Sequence, residues 1–367
     1  LNDDRPFLLA SILNVVIGEG RQIHQLVHPI VSQFRDKTGE RCGKDADGAE
    51  EISESHIYLE IDRETDDDDL ASLKDQIKDV LASIRLAVDD WQDMLAELKS
   101  ARTALAEEPP EIDQEELEES LAFLDWLADD NFLFLGYREF TFDGKADHMD
   151  AYTNPEEGLG LLRDSDFAVL RDEDGLGPVS PEVREFLKRQ DPLIILKGNV
   201  RSPVHRRAFV DVVGVKQFDG KGGLTGEKRF VGLFTSRAYH RRPQSIPLLR
   251  RKVQKVIEKS GFRERSHDAR ALVEVMQTFP RDELFQADVD EISETVLAIL
   301  RLRERPRPRI FVRKDPYHRF VSMLVFIPRE VYDTPLRHKV EALVCNAFNG
   351  EIESEFTQVG DQPLARL

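Results

Sequence analysis

Cysteine is nearly absent from this chain, with Cys42 and Cys345 the only two among 367 residues. Two cysteines build no disulfide framework, and such sparing use fits a reducing compartment, so a cytoplasmic location is expected. Long apolar runs are missing as well. No stretch approaches the roughly 18 apolar residues of a membrane span. The opening Leu1-Asn2-Asp3-Asp4-Arg5 lacks the basic start and small-residue cleavage site of a secretory signal. Basic charge is in deficit, 51 Lys and Arg against 70 Asp and Glu, for a net of −19. That balance excludes a whole-chain electrostatic grip on nucleic acid or anionic membrane, and neither is expected as a partner. The sequence also carries no GxGxxG opening a βαβ unit, no GxSxG and no HExxH. Fingerprints for a dinucleotide site, a hydrolase elbow or a zinc-binding helix are therefore lacking.

What is present is length enough for two or three domains, at about 100–200 residues each, and a marked charge asymmetry. Residues 1–150 hold a net of −24, whereas 151–367 hold +5. Such a break suggests separate modules, although acidic helices with solvated outer faces are the plainer reading.

Pro6 to Gly18 reads as a short apolar helix stopped by glycine, and His28 to Phe34 as a strand. Ser55 to Ile61 alternates with period two, as a half-buried strand does. Leu70, Leu73, Ile77, Val80, Leu81, Ile84, Val88, Trp91, Leu95 and Leu98 then follow helical spacing as one long helix. Asp66 to Asp69 stand at its start, where negative charge meets the positive end of the helix dipole. Helix–strand–strand–helix is most of a βαββαβ ferredoxin-like unit whose first strand is missing, so the front is expected to be truncated.

Glu107 to Glu111, with two prolines, is the clearest linker, and a helix bearing Leu117, Leu121, Leu124 and Leu127 follows. From Phe132 the character becomes β, with strands expected over Phe132–Phe142, Phe167–Leu170, Leu193–Leu196, Ala208–Phe218 and Arg229–Ser236. Asp219 to Gly223 is a hairpin loop between the last two. An antiparallel sheet of about five strands is expected, then a basic helix over Pro247–Ser260 stopped by Gly261. Helices over Asp268–Thr278 and about Asp288–Leu302 lead to strands at Arg309–Arg313 and Phe320–Ile327. Thr334-Pro335 starts a helix with a capping hydroxyl, and Leu336, Val340, Leu343, Val344 and Phe348 form its apolar face. Asn349-Gly350 ends it, and Glu351 to Val359 reads as a final strand. The module repeats the ferredoxin-like plan. No short fixed-period repeat points to a solenoid.

Chemistry is sparse. Gly222 to Lys228 has the flavour of a phosphate loop, but its spacing is wrong and it lies in a hairpin, not at a helix start. His24 and His28 stand four apart, yet Pro29 argues against the helix that a shared metal would need. Arginines cluster in Arg201 to Arg207, at Arg241-Arg242, and at every second position from Arg301 to Arg309. Guanidinium groups suit carboxylate or phosphate ligands, and salt bridging is the plainer use. RNA binding is disfavoured without aromatics interleaved among them. Pro280 to Gln286 could clamp a polar effector, or could be an inter-helix turn whose Asp caps a helix and whose Arg pairs locally.

Several strings, however, resemble one family. VHRRAFVDVVGVKQF (204–218), GEKRFVGLFTSRAY (226–239), IPLLRRKV (246–253), PRDELFQ (280–286) and RIFVRKDPYHRFVSMLVFIPR (309–329) are similar to the N-terminal regulatory region of the large bacterial NAD-specific glutamate dehydrogenases. GLGLLRD (158–164) and HPIV (28–31) fit in the same order. The resemblance implies an α+β chain with tandem ferredoxin-like, ACT-type domains flanking a β-rich PAS- or GAF-like module, joined by helices. The expected divisions are an ACT-like domain over 1–105 with its first strand missing, a sheet module over 106–262 and a second ACT-like domain over 263–367.

The family oxidises L-glutamate to 2-oxoglutarate and ammonia with NAD. None of its catalytic or NAD-contacting residues carries over to this stretch, which is expected to be an excised, non-catalytic fragment without cofactor or metal. Expected partners are its own catalytic domain, other protomers of a homo-oligomer and an amino-acid effector. A purely structural scaffold and a stand-alone sensor are the alternatives. For an anionic effector the candidate contacts are Arg201, His205 and Arg206, then Arg281 with Asp282.

Overall fold

The computed structural model describes residues 1–142, 151–152, 158–164, 167, 169–170, 185–187, 189–219, 221–263, 265–359 and 363–367. The chain divides into two compact units. One comprises Leu1–Ile112, Leu127–Arg171 and Gln190–Ser236, the other Asp113–Trp126, Asp172–Arg189 and Arg237–Leu367.

The first unit opens with β1 (Asn2–Asp3), α1 (Leu8–Gly18), β2 (Ile23–Val27), β3 (Ile30–Arg35), β4 (Glu50–Ser55) and β5 (Tyr58–Ile61). β2 pairs with β5 and β3 with β4, both antiparallel, so the four form one long hairpin interrupted at His28-Pro29 and His56-Ile57. Proline cannot donate to a ladder, which accounts for the interruption on its side. The strand expected over Ser55–Ile61 is thus the end of β4 and all of β5. β1 lies against β4, Asn2 opposite Ser55 and Asp3 opposite Glu54. A two-residue first strand therefore stands where the sequence pattern showed none. Asn-Asp carries no apolar alternation, and only pairing reveals it.

The long helix expected from Leu70 to Leu98 is two helices, α2 (Asp67–Asp89) and α3 (Trp91–Glu107), meeting at Asp90. The apolar spacing runs through the break because both helices cover the same sheet. Asp66 caps α2, its carboxylate accepting from the N–H groups of Asp68 and Asp69. The sheet itself is antiparallel, in the order β7 (Ala151–Tyr152), β6 (Phe132–Phe142), β11 (Leu224–Phe234), β10 (Phe209–Phe218) and β9 (Leu193–Arg201), with β8 (Leu159–Gly160) also on β6. No ladder forms at Phe167, Val169 or Leu170, where a strand was expected, and Ala168 lies outside the described residues. The Val169 carbonyl accepts from the Asn199 N–H at 3.1 Å. Gly220 of the expected hairpin loop also lies outside the described residues. The core gathers Leu8 of α1, Val80, Ile84 and Ala87 of α2, Leu135, Leu233 and Val204. Burying such side chains contributes about 1.5–3 kcal/mol each.

The second unit contains α4 (Gln114–Trp126), α5 (Ser236–His240), α6 (Leu249–Ser260), α7 (His267–Thr278), α8 (Arg281–Gln286) and α9 (Val289–Glu304). α6 ends at Gly261, whose φ of 66° is the left-handed cap that glycine adopts without strain. Phe123 and Trp126 of α4 stack with ring centroids 5.5 Å apart, and Phe285 of α8 packs on both. A three-stranded antiparallel sheet follows, in the order β12 (Arg309–Lys314), β13 (Val321–Pro328) and β14 (Leu364–Arg366), with α10 (Thr334–Phe348) between its last two strands.

Two details of this module differ from expectation. α10 is capped by Asp333, whose carboxylate accepts from Leu336 N–H at 2.7 Å, and not by the Thr334 hydroxyl. Glu351–Val359 forms no strand beyond a single bridge from Gln358 to Arg366. The free side of β13 is occupied by β14, leaving the apolar alternation of Ile352 and Phe356 without a partner. Among the described residues no helix is long and apolar enough to cross a membrane.

Candidate functional site

The arginine-rich segment expected to meet an anion joins β9 to β10. Its turn is locked from inside, with the Ser202 hydroxyl donating to the Val204 carbonyl at 2.7 Å and accepting from the Val204 N–H at 3.1 Å. Val204 is driven into the core, and His205 adopts a left-handed φ of 71°. α1 holds that residue in place. Its Ser11 hydroxyl accepts the His205 N–H at 2.9 Å, and Asn14 donates to the His205 carbonyl at 2.8 Å. The imidazole lies 5.2 Å from the Phe7 ring, and burial, then the neighbouring Arg206, pushes its pKa down. Arg206 donates to the Phe234 carbonyl at 2.7 Å, whereas Arg201 stacks over Phe209 at 4.4 Å. This turn fastens α1 to the sheet edge and presents guanidinium groups already engaged by backbone and ring.

Arg281 and Asp282 belong to the other unit. Arg281 donates to the carbonyls of Phe279, Gln277 and Arg241, at 3.0, 3.1 and 3.1 Å. It closes the last turn of α7, where carbonyls lack helical partners. Burial pushes its pKa down. The Asp282 side chain does not cap α8 but accepts from the Tyr239 hydroxyl at 2.8 Å.

A buried ion pair beside them carries no signal that spacing alone could have raised. Arg313 of β12 grips Glu283 of α8 with two bonds of 2.7 and 2.9 Å and reaches Gln286 at 3.1 Å. Ser322 of β13 donates to the same carboxylate at 2.6 Å. Glu283 also lines a cavity of about 110 Å³, together with Phe279, Glu291, Thr295, Phe311 and Arg313. Lys252 of α6 reaches past α8 to the carbonyls of Leu284, Phe285 and Ala287 at 2.8–2.9 Å, meeting the negative end of that short helix. The turn after β12 is organised by buried Asp315, which accepts two bonds of 2.8 Å from Arg319 and one of 3.1 Å from the Tyr317 N–H. Helices and sheet are therefore joined by directional, charge-assisted bonds, which fix one arrangement far more sharply than apolar contact does. His24 and His28, the pair four apart, turn to different partners, Asp62 at 2.8 Å and the Ser55 hydroxyl at 3.2 Å.

Three stretches of the chain match models of known families. Residues 1–77 match the family model of the glutamate dehydrogenase ACT1 domain, 246–305 that of glutamate dehydrogenase helical motif 1, and 309–367 that of the glutamate dehydrogenase ACT2 domain. Together they cover just over half of the chain. The Arg313–Glu283 pair thus ties helical motif 1 to the ACT2 sheet. Along its full length the chain is 35% identical to an NAD-specific glutamate dehydrogenase of Pseudomonas aeruginosa and 31% identical to one of Halomonas elongata. A third, from Mycobacterium tuberculosis, is 28% identical over 98% of the chain. The chain spans about a quarter of the length of these curated relatives, 23%, 23% and 21%.

Proposed function

Because the chain belongs to the NAD-specific glutamate dehydrogenase family, we propose that it is the regulatory, oligomer-building segment of such an enzyme. In this reading L-glutamate, NAD and water become 2-oxoglutarate, ammonia and NADH in polypeptide other than these residues, in the cytoplasm. The three modules expected from the sequence, 1–105, 106–262 and 263–367, then act as ACT-like, PAS- or GAF-like and ACT-like units. An amino-acid effector favours one arrangement of them over another, with a coupling of about 1–3 kcal/mol.

The observation that carries this reading is the ordered match to ACT1, helical motif 1 and ACT2 along one chain. The contacts expected from the sequence for an anionic effector are Arg201, His205 and Arg206, or Arg281 with Asp282, and on that expectation Arg206→Ala weakens any carboxylate effector of the first set. Unchanged affinity removes that assignment. The reading as a whole is tested with the purified chain in a glutamate-dependent NADH assay, where no turnover is expected. A measurable rate refutes it. Calorimetric titration with amino acids separates a sensor, which gives saturable heat, from a ligand-free scaffold.

A further inference from the structure

One face of the large sheet changes character along its length. Near its middle this face carries buried rings, among them Phe134 and Phe230, whose centroids lie 6.1 Å apart. Further along the strands, past the bulge in β6, the same face carries Tyr137, Glu139 and Thr141 on β6 and Lys228 on β11, with Gln217 on β10. The register sets Lys228 opposite Glu139, and Gly226 opposite both Thr141 and Gln217. A sheet face packed beneath a helix is ordinarily apolar, because an unmatched buried polar group costs stability.

α3 does not fill the space above this polar end. It offers Ala101, Ala104 and Leu105, then Glu108 just beyond its last turn, and a cavity of about 330 Å³ lies between helix and sheet. Gly226 deepens the floor. A Cβ there would come within 2.5 Å of the Gln217 side-chain oxygen and of the Phe140 carbonyl. Thr141, Thr225, Ala104 and Glu108 are exposed at the rim.

Two of the charged residues that line this cavity, Lys228 and Glu139, are held in place yet keep bonding capacity. The Lys228 ammonium donates to Glu97 at 2.8 Å and to the Ser100 hydroxyl at 3.4 Å, which uses two of its three donors. Glu139 accepts from Gln217 at 2.8 Å and from the Tyr137 hydroxyl at 3.4 Å, about half of what a carboxylate can accept. The Tyr137 hydroxyl is kept protonated by burial and by the flanking Glu97 and Glu139, between which its one proton is shared. A fixed ammonium and a fixed carboxylate across one polar floor suit a ligand bearing both opposite charges. The volume lies at the small end of the roughly 300–1,000 Å³ of ligand pockets.

We propose that this cavity between α3 and the sheet binds a small zwitterion, an α-amino acid, with its carboxylate at Lys228 and its ammonium at Glu139. The ligand class rests on the sensing reading given above, whereas the site is separate from the arginine-rich turn and from Arg281. Bound ligand would bridge α3 to β6, β10 and β11.

The test is calorimetric titration of the chain with the twenty L-amino acids, each hit repeated with its decarboxylated amine and its deaminated acid. At least one amino acid is expected to bind saturably, with both truncated analogues at least tenfold weaker. Ala104→Trp, which fills the cavity from an exposed helix position, and Lys228→Met are each expected to weaken it at least tenfold. Thermal unfolding of both variants identifies any loss that is mere misfolding, and an Ala104→Ser control is expected to bind normally. If an amino acid binds and Ala104→Trp leaves its affinity unchanged, the sensing reading stands and this site is wrong. If the deaminated acid binds as tightly as the amino acid, the zwitterion assignment is wrong. If no amino acid binds, both fall.

Discussion

Asp90 and Arg163 are joined by two hydrogen bonds, of 2.5 and 2.6 Å, at the break between α2 and α3. The same carboxylate accepts the Gly160 N–H at 2.7 Å, so one buried side chain holds both ends of the segment from Gly160 to Arg163. These bonds, led by Arg163, hold the Asp90 carboxyl below its usual range. Asp90→Asn keeps the shape and loses the charge. We expect it to cost about 1–3 kcal/mol in urea unfolding at neutral pH, as for a charge-assisted bond lost from a buried site.

The pH dependence of that loss has a definite sign. A carboxyl with a depressed folded pKa stabilises the protein fully above its unfolded value of about 3.9, and that contribution disappears as pH falls through the folded value. Wild type and Asp90→Asn should therefore differ most near neutrality and converge in acid. Parallel unfolding curves at every pH would mean that the charge plays no part.

Gly160 itself is fixed by geometry. Its φ is 58°, and a Cβ would lie 2.2 Å from the Leu135 carbonyl oxygen. Gly160→Ala is expected to cost about 1–3 kcal/mol from the backbone alone, with the clash against β6 added. Differential scanning calorimetry reads the shift, and an unchanged midpoint would show that β8 moves freely.

How much of this was visible in the sequence follows from which interactions are local. The Gly261 stop, the Asn349 stop and the apolar spacing of α2 and α3 all act within a few positions, and each was legible, whereas the cap of α10, expected at Thr334, is Asp333. The break at Asp90 was not, because the arginine that binds it there, Arg163, lies 73 residues away and the apolar stripe continues across it. Glu351 to Val359 misled for a related reason. It alternates like a strand, but β13 has only one free side, and Leu364–Arg366 occupies it. The effector candidates were chosen by charge alone, and charge does not distinguish a guanidinium aimed at solvent from one that, like Arg281, closes a helix end.

Lys252 offers a test of such a closing role. Its ammonium serves three carbonyls, two in α8 and that of Ala287 just after it. Lys252→Met retains most of the packing stem while leaving those acceptors unmet. We expect a loss of about 1–3 kcal/mol and faster hydrogen exchange at the end of α8. Exchange unchanged there would place the stabilisation elsewhere.

The Arg313–Glu283 pair gives the sharpest prediction, since its two side chains are only 9% and 11% exposed. Burial opposes the charge on Arg313, but the Glu283 carboxylate, with Glu291 and Asp315 adding to it, outweighs that cost and raises the guanidinium pKa. Taking either partner away leaves the other charge in a poorly hydrated site, a cost of about 3–5 kcal/mol. Arg313→Met and Glu283→Gln should each destabilise the second unit by that order, measured by denaturant unfolding followed at Trp126. The double variant buries no unpaired charge, so it should be no less stable than the worse single variant. A double-mutant cycle with zero coupling would mean that the two groups do not act as a pair. Strong coupling would make this pair the rigid link through which a shift in helical motif 1 reaches the ACT2 sheet.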